Sequence, residues 1–224
     1  MIKHILFDCD GVLIDTEIVA AEVVTNWLHS EGVSIDLETY IAEYTGKAFS
    51  DIINILKSKQ LIDPEIDLSE VVPMLDGLIK DNQRPIDGVQ DMLSAVNLPS
   101  SCVSNSAKAY VELALQKLNI TSHFGGRIYS AEMVEKGKPD PAVYHLAIAK
   151  SGNKKDEILV VEDSTAGVNA SVEAGLQTIG FLGGSHVRKG LEEKLLSCGA
   201  STTVSSHAEL KESILAIQNL PNFT

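Results

Sequence analysis

Residues 3–11 read Lys-His-Ile-Leu-Phe-Asp-Cys-Asp-Gly, a short apolar run that ends in two carboxylates and a glycine. Residues 158–163 repeat this arrangement as Ile-Leu-Val-Val-Glu-Asp. An apolar run of this length without polar alternation is typical of a strand that is covered on both faces, as in a parallel sheet. We therefore predict that both stretches are strands of one sheet, each with acidic residues at its carboxyl end.

The chain after Pro85 alternates between strand and helix patterns. Further short strands are predicted at 101–104, 127–129, 177–181 and 202–204, and helices at 110–118, 142–149, 168–174 and 191–196. Strands that alternate with helices pair in parallel through right-handed crossovers. The predicted fold class is therefore α/β, with a doubly wound, mainly parallel, Rossmann-like sheet.

The stretch from residue 16 to residue 84 has a helical pattern instead, with apolar residues such as Val19, Val23 and Trp27 at three- and four-residue spacing. Four residues are expected to divide it into several helices: Gly32, Gly46, Pro64 and Pro73. We predict an α/β core domain at 1–15 and 85–224, with a helical cap domain inserted at 16–84.

The composition narrows the class of protein. The 224 residues include 18 Lys and Arg against 31 Asp and Glu, a formal net charge of −13 at pH 7. This charge disfavours non-specific binding to nucleic acid or to an anionic membrane, and no apolar run approaches the ~20 residues that span a bilayer. The cysteines are few and odd in number, which is typical of a reducing compartment. We expect a cytoplasmic monomer without nucleic-acid or membrane partners.

Polar residues follow the predicted strands at their carboxyl ends, where open α/β sheets bind ligands. These residues are Asp8, Asp10, Ser104, Asn105, Glu162 and Asp163, with Lys138 in a loop before a predicted helix. Like charges about 5 Å apart repel by about 3 kcal/mol at an effective dielectric near 20, so four carboxylates on one rim need a cation or shifted pKa values. Oxygen ligands favour Mg²⁺ over zinc. Ser104, nearby backbone N–H groups and Lys138 offer donors for phosphate oxygens.

Each of these features also has an ordinary structural explanation. An Asp-x-Asp pair is often a solvated loop end, and Gly-Lys-Pro-Asp-Pro at 137–141 can be a turn before a proline-started helix. A serine after a strand is often a helix N-cap, and Glu-Asp-Ser before a helix can complement the helix dipole. Their occurrence in order, each at a strand end or an adjoining loop, favours a phosphate site.

In that order, Asp8-x-Asp10-Gly-Val, Ser104, Lys138-Pro and Glu162-Asp163 resemble the four motifs of the haloacid dehalogenase-like (HAD) phosphohydrolase superfamily. With Asp-Thr-Glu at 15–17, the chain resembles the branch of β-phosphoglucomutase-like proteins and of phosphosugar or phosphoglycolate phosphatases. The resemblance implies a Mg²⁺-dependent phosphatase that hydrolyses a small phosphorylated metabolite through an aspartyl phosphate.

The resemblance also implies roles for individual residues. Asp8 is expected to be the nucleophile, Asp10 the general acid and base, and Ser104 and Lys138 the residues that hold phosphate. Asn105 and Ser106 are candidates for further phosphate contacts or for capping the next helix. The expected Mg²⁺ ligands are the Asp8 carboxylate, the Asp10 backbone carbonyl and Asp163, with Glu162 as a direct or indirect ligand.

Two other activities of the superfamily remain as alternatives. Dehalogenases lack the second aspartate, so Asp10 disfavours that reaction. Mutases of the β-phosphoglucomutase type carry a histidine after the first motif and an arginine in a cap loop, whereas this chain has Val19 and Ala20 after its first motif and Gly-Lys-Ala-Phe-Ser at 46–50. These departures favour hydrolysis over the mutase reaction. Lys47 in that loop is either a contact to the substrate or an exposed lysine.

Two other classes of protein share part of this sequence pattern. A receiver-like phosphoacceptor domain uses a similar acidic pocket, but receivers are shorter and lack a helical insertion after the first strand. A dinucleotide-binding domain is disfavoured because no G-x-G-x-x-G follows the first strand. Gly180, Gly183 and Gly184 predict a tight loop near the site. The six histidines form no close pair with metal-ligand spacing and are expected to be surface or core residues.

Overall fold

The computed structural model describes residues 1–45 and 47–219. The chain divides into two compact units, an α/β unit formed by Met1–Ile14 with the chain from Pro85 onward, and a helical unit, Asp15–Arg84. The predicted domain boundaries differ from these only in the placement of Asp15.

The described part of the helical unit contains the helices α1 (Thr16–Ser30), α2 (Leu37–Tyr44), α3 (Phe49–Ser58) and α4 (Leu68–Asp81). Their apolar sides pack into one cluster that includes Trp27, Leu28, Ile53 and Leu56. Asp36 begins α2 as an N-cap, because its carboxylate accepts a hydrogen bond from the Thr39 N–H at 2.8 Å.

The predicted helix breakers behave differently from one another. Gly32 and Pro64 lie between helices, and Gly32 takes the left-handed φ of +82° that favours glycine after a helix. Gly46 lies outside the described residues. The prediction that Pro73 separates two helices is wrong, because α4 continues through it. The proline removes one backbone hydrogen bond, and burial of Leu75 on the apolar side of α4 offsets part of that loss.

The α/β unit is built on a six-stranded sheet in the order β3-β2-β1-β4-β5-β6. Its strands are β1 (His4–Phe7), β2 (Ser100–Ser104), β3 (Ile128–Ser130), β4 (Ile158–Glu162), β5 (Gln177–Phe181) and β6 (Thr202–Val204). All neighbouring strands pair in parallel. Phe7, the last residue of β1, pairs with Cys102 of β2 and Val161 of β4, so the residues after these strands meet at one edge. The predicted fold class is confirmed.

Helices cover both faces of this sheet: α5 (Val89–Val96), α6 (Lys108–Lys117), α7 (Thr121–Phe124), α8 (Ala142–Ser151), α9 (Thr165–Glu173), α10 (Leu191–Ser197) and α11 (His207–Asn219). On one face Ile5 and Phe7 pack with residues of α5 and α11. On the other face Leu6 packs with residues of α8 and α9. This alternation along β1 explains why Ile5, Leu6 and Phe7 are all apolar.

The predicted strands and helices of the α/β unit occur with ends shifted by at most three residues, while the sequence pattern does not predict α5, α7 and α11. Among the described residues, no helix is long and apolar enough to cross a membrane.

Candidate active site

Asp8 follows β1 at the carboxyl edge of the sheet and is buried there. The Lys138 ammonium donates to Asp8 Oδ1 at 2.9 Å, to the Val103 carbonyl of β2 at 2.8 Å and to Glu162 Oε1 at 2.5 Å. Only 4% of the Lys138 side chain is exposed. The structure therefore joins three of the predicted residues, from three separate parts of the chain, around one buried ammonium group.

The backbone of Lys138 is held by Asn105. The Asn105 amide donates to the Lys138 carbonyl at 2.9 Å, and its Oδ1 accepts from the Lys138 N–H at 2.8 Å. Gly137 permits this approach, because a Cβ there would lie 2.6 Å from Asn105 Oδ1. The Asn105 side chain thus positions Lys138, and its predicted contact with phosphate stays a prediction.

Glu162 is fully buried at the end of β4. Besides Lys138, its Oε1 accepts a hydrogen bond from the Tyr144 hydroxyl at 2.7 Å, and its Oε2 accepts from the Ser164 hydroxyl at 3.1 Å. Gly167 leaves room for the carboxylate, because a Cβ at that position would lie 1.9 Å from it. Both oxygens of Glu162 are therefore occupied by protein donors.

Asp8, Glu162 and Asp163 can each place one carboxylate oxygen so that all three lie within 4.8 Å of one another. Burial raises the pKa of the Asp8 carboxyl well above its usual range, and the Glu162 charge adds to this effect while Lys138 opposes it. Burial also raises the pKa of Asp163. Lys138 supplies a single positive charge to this group, so the carboxylates fit a divalent cation, and their oxygen donors match Mg²⁺.

Lys138 remains charged in this environment. Burial alone would lower the pKa of its ammonium group, but the adjacent Asp8 and Glu162 carboxylates raise it well above the usual value. The pKa of the buried Tyr144 hydroxyl is also raised well above its usual value, first by burial and then by the Glu162 charge. Tyr144 is therefore a neutral donor to Glu162 at physiological pH.

The Asp10 carboxylate has different partners from Asp8. Its Oδ2 accepts a hydrogen bond from the Ser106 hydroxyl at 2.8 Å, and its Oδ1 lies 3.4 Å from the Tyr110 hydroxyl. Ser106 also donates its N–H to the buried Ser104 hydroxyl at 2.9 Å. The two aspartates of the first motif therefore have separate surroundings, the first with the buried ammonium and the second with hydroxyl groups.

Lys47 belongs to the helical unit and lines a cavity of about 160 Å³ within it. The polar residues around this cavity include Glu17, Tyr40, Tyr44 and Asp76. Burial, followed by the Glu17 charge, raises the pKa of Tyr40 to about 12, so its hydroxyl is neutral. The predicted contact of Lys47 with substrate stays a prediction.

Three residues near the site were missed by sequence reasoning: Tyr110, Tyr144 and His186. His186 lies in the loop after β5, where its Nε2 is 3.1 Å from Asp163 Oδ2. The glycines at 183 and 184 indicate a tight loop near the site, but histidine spacing gives no signal because the partner, Asp163, follows a different strand, β4. The two tyrosines look like ordinary apolar positions of α6 and α8.

Comparison with known proteins gives a consistent result. The family model for haloacid dehalogenase-like hydrolases matches residues 5–181. 6-phosphogluconate phosphatase of Escherichia coli (strain K12) is 28% identical over 192 residues, covering 83% of this chain and 85% of that protein. Fructose-1-phosphate phosphatase YqaB of the same organism is 24% identical over 177 residues, covering 78% of this chain and 94% of that protein.

A solved structure extends the likeness to the fold. A HAD family hydrolase from Deinococcus radiodurans R1, crystallised with bound phosphate and sodium, superimposes with a TM-score of 0.86 at 28% identity, covering 97% of this chain and 96% of that one.

The matched residues 5–181 include Asp8, Lys138 and Asp163, and therefore every part of the buried charge cluster. The expected superfamily is confirmed, together with its branch of β-phosphoglucomutase-like proteins and phosphosugar phosphatases. The expected enzyme class is also confirmed. The chain belongs to the haloacid dehalogenase-like hydrolase family and is a phosphatase of that family.

Proposed function

We propose that this phosphatase hydrolyses a small phosphorylated carbohydrate through a covalent phosphate on Asp8, with Asp10 as general acid and base. The observation that carries the proposal is the separation of the two aspartates. Asp8 lies against the Lys138 ammonium at 2.9 Å, whereas Asp10 accepts a hydrogen bond from the Ser106 hydroxyl at 2.8 Å. Two carboxyl groups in different surroundings can take different roles in one reaction.

In the first step an oxygen of the Asp8 carboxylate attacks phosphorus, and the bond from phosphorus to the substrate oxygen breaks. The departing alkoxide takes a proton from the Asp10 carboxyl, which becomes a carboxylate. Lys138 lies close enough to Asp8 to hold an oxygen of the transferring phosphoryl group as charge develops on it.

In the second step the Asp10 carboxylate takes a proton from a water molecule that attacks the phosphorus of the aspartyl phosphate. The bond from phosphorus to the Asp8 oxygen then breaks and releases inorganic phosphate, which returns both aspartates to their starting states. The Ser106 hydroxyl keeps the Asp10 carboxyl oriented through both proton transfers.

The cluster of carboxylates formed by Asp8, Glu162 and Asp163 fits a bound Mg²⁺, which would neutralise negative charge on the transferring phosphoryl group. We propose the Asp8 and Asp163 carboxylates and the Asp10 backbone carbonyl as its ligands. Glu162 accepts hydrogen bonds from Lys138 and Tyr144, which supports an indirect role in which it fixes the ammonium group beside Asp8.

We propose Ser104, Asn105 and Lys138 as the phosphate-binding residues. Ser104 is the last residue of β2 and is buried at the same edge of the sheet as Asp8. The Asn105 side chain holds the Lys138 backbone, which leaves its own N–H as the group for a phosphate oxygen. The solved relative with bound phosphate supports a phosphate site in this fold.

The proposed substrate class rests on the relatives and on the helical unit. 6-Phosphogluconate and fructose 1-phosphate, the substrates in the names of two relatives, are both small phosphorylated carbohydrates. The cavity of the helical unit offers carboxylates, phenols and the Lys47 ammonium as partners for hydroxyl-rich molecules. Lys47 is the candidate substrate contact from this unit.

The test is a hydrolysis screen of the full chain with phosphosugars, phosphoglycolate and nucleotides, in Mg²⁺ and in a chelator. We expect Mg²⁺-dependent release of inorganic phosphate, fastest from a phosphosugar, and loss of turnover in Asp8→Asn. Asp156→Asn, which changes an exposed aspartate, should keep wild-type activity. Substantial turnover in Asp8→Asn would overturn the role of Asp8. Phosphorus NMR that showed an isomeric sugar phosphate in place of inorganic phosphate would favour the mutase reaction.

A further inference from the structure

His186 stands against the carboxylate of Asp163 in the α/β unit. Its Nε2 lies 3.1 Å from Asp163 Oδ2, and the two side chains are only 15% and 8% exposed. The residue comes from the loop between β5 and α10, and the proposed reaction assigns it no role. A hydrogen bond that is largely shielded from water orients its partners more strongly than an exposed one.

Two glycines, Gly11 and Gly184, leave room for the His186 ring. Gly11 has a φ of +80°, and a Cβ there would lie 1.8 Å from Asp163 Oδ2 and 2.9 Å from His186 Cε1. A Cβ at Gly184 would lie 2.7 Å from both Cε1 and Nδ1 of the ring. Two glycines from separate loops thus leave a slot that the imidazole occupies beside the carboxylate.

We propose that His186 is a positioning residue for Mg²⁺ binding. Its Nε2–H donates to Asp163 Oδ2 and sets the orientation of this carboxylate before the cation arrives. The inference rests on the proposed function, because it takes Asp163 to be a Mg²⁺ ligand. Groups that hydrogen-bond a ligating side chain from behind typically change metal affinity about 10- to 100-fold when removed.

The experiment measures Mg²⁺ affinity by calorimetric titration of the metal-free full chain, without substrate. His186→Ala should weaken Mg²⁺ binding by about 10-fold or more, and His186→Gln, which keeps an N–H donor of similar reach, should restore part of the loss. His145→Ala changes an exposed histidine on α8 and should bind Mg²⁺ like the wild type. Circular dichroism confirms that each variant is folded.

Asp163→Asn distinguishes a failure of the positioning role of His186 from a failure of the proposed metal site. Wild-type affinity in His186→Ala or the same loss in His186→Gln, alongside impaired binding in Asp163→Asn, overturns the positioning role and leaves the metal site intact. Wild-type affinity in Asp163→Asn, or no Mg²⁺ binding by the wild type, overturns the proposed metal site itself. If His186→Ala does not fold, His186→Leu, which fills the space but has no N–H donor, takes its place, and a wild-type Mg²⁺ affinity in that variant refutes the proposal.

Discussion

Replacing Lys138 with methionine removes the ammonium group between two buried carboxylates and keeps a side chain of similar length. In the wild type Nζ lies 2.9 Å from Asp8 Oδ1 and 2.5 Å from Glu162 Oε1. It also donates to the Val103 carbonyl of β2. The substitution therefore leaves two carboxylates without their cation and one strand carbonyl without its donor.

The size of the effect follows from these distances. At an effective dielectric near 20, the pairs at 2.9 and 2.5 Å attract by about 6 and about 7 kcal/mol. The cost of removing three ions from water offsets much of this attraction, and removal of one partner of a buried pair typically destabilises a protein by about 3–5 kcal/mol. We expect Lys138→Met to lower the free energy of unfolding of the α/β unit by that amount.

The assay is urea unfolding at pH 7 in a chelator, followed by circular dichroism, so that no bound metal replaces the missing charge. Lys136→Met changes an exposed lysine of the same loop and should alter the free energy of unfolding by less than about 0.5 kcal/mol. A loss in Lys138→Met no larger than that of Lys136→Met would refute the claim that the ammonium group holds the carboxylate cluster together.

Three further predictions concern other buried positions. Burial and the Arg127 charge lower the pKa of His4 to about 4. As the pH falls from 6.5 to 4, the unfolded chain therefore binds a proton that the folded chain does not, and the wild type loses about 3 kcal/mol of stability. We expect the stability of His4→Gln to lack this pH-dependent loss. Tyr144→Phe removes a donor to a buried carboxylate and should reduce the free energy of unfolding by about 1.5–3 kcal/mol. Gly11→Ala should destabilise by about 1–3 kcal/mol beyond its backbone strain, measured by urea unfolding, because its Cβ would displace Asp163.

Each of these has a matched control. His145→Gln should leave the pH dependence of stability unchanged, and equal curves for His4→Gln and the wild type would contradict the first prediction. Tyr129→Phe, in the same apolar cluster as Tyr144, should be the milder of the two tyrosine changes. Gly32 has a φ of +82° with open space beside it, so Gly32→Ala reports backbone strain alone, and an equal effect at Gly11 would argue against the displacement of Asp163.

The sheet could be predicted because its strands carry their own signal. Residues 158–161 are apolar at every position, and the structure buries all of them between helices on both faces. The strands at 177–181 and 202–204 were predicted with the bounds that the structure shows. α7 has four residues, too few for a helical period to be recognised, and α5 begins after a left-handed glycine, Gly88.

The site could be predicted only in part, for a physical reason. Acidic residues at strand ends meet at one edge because parallel strands align their carboxyl ends, so Asp8, Glu162 and Asp163 could be grouped from sequence. The bond between the Asn105 amide and the Lys138 backbone spans 33 residues. The position of His186 likewise depends on how the loop after β5 folds toward Asp163, which follows β4, and no local sequence pattern records this.

The central claim is that Asp8 carries the phosphoryl group during turnover. The direct measurement is acid quenching of the full chain during Mg²⁺-dependent hydrolysis of p-nitrophenyl phosphate, followed by mass spectrometry of the peptide that contains residues 3–11. We predict one added phosphoryl group, located on Asp8. The phosphorylated fraction should be larger in Asp10→Asn, because hydrolysis of the aspartyl phosphate is slowed. Phosphorylation at another residue, or none in either protein while the substrate is being hydrolysed, would contradict the account.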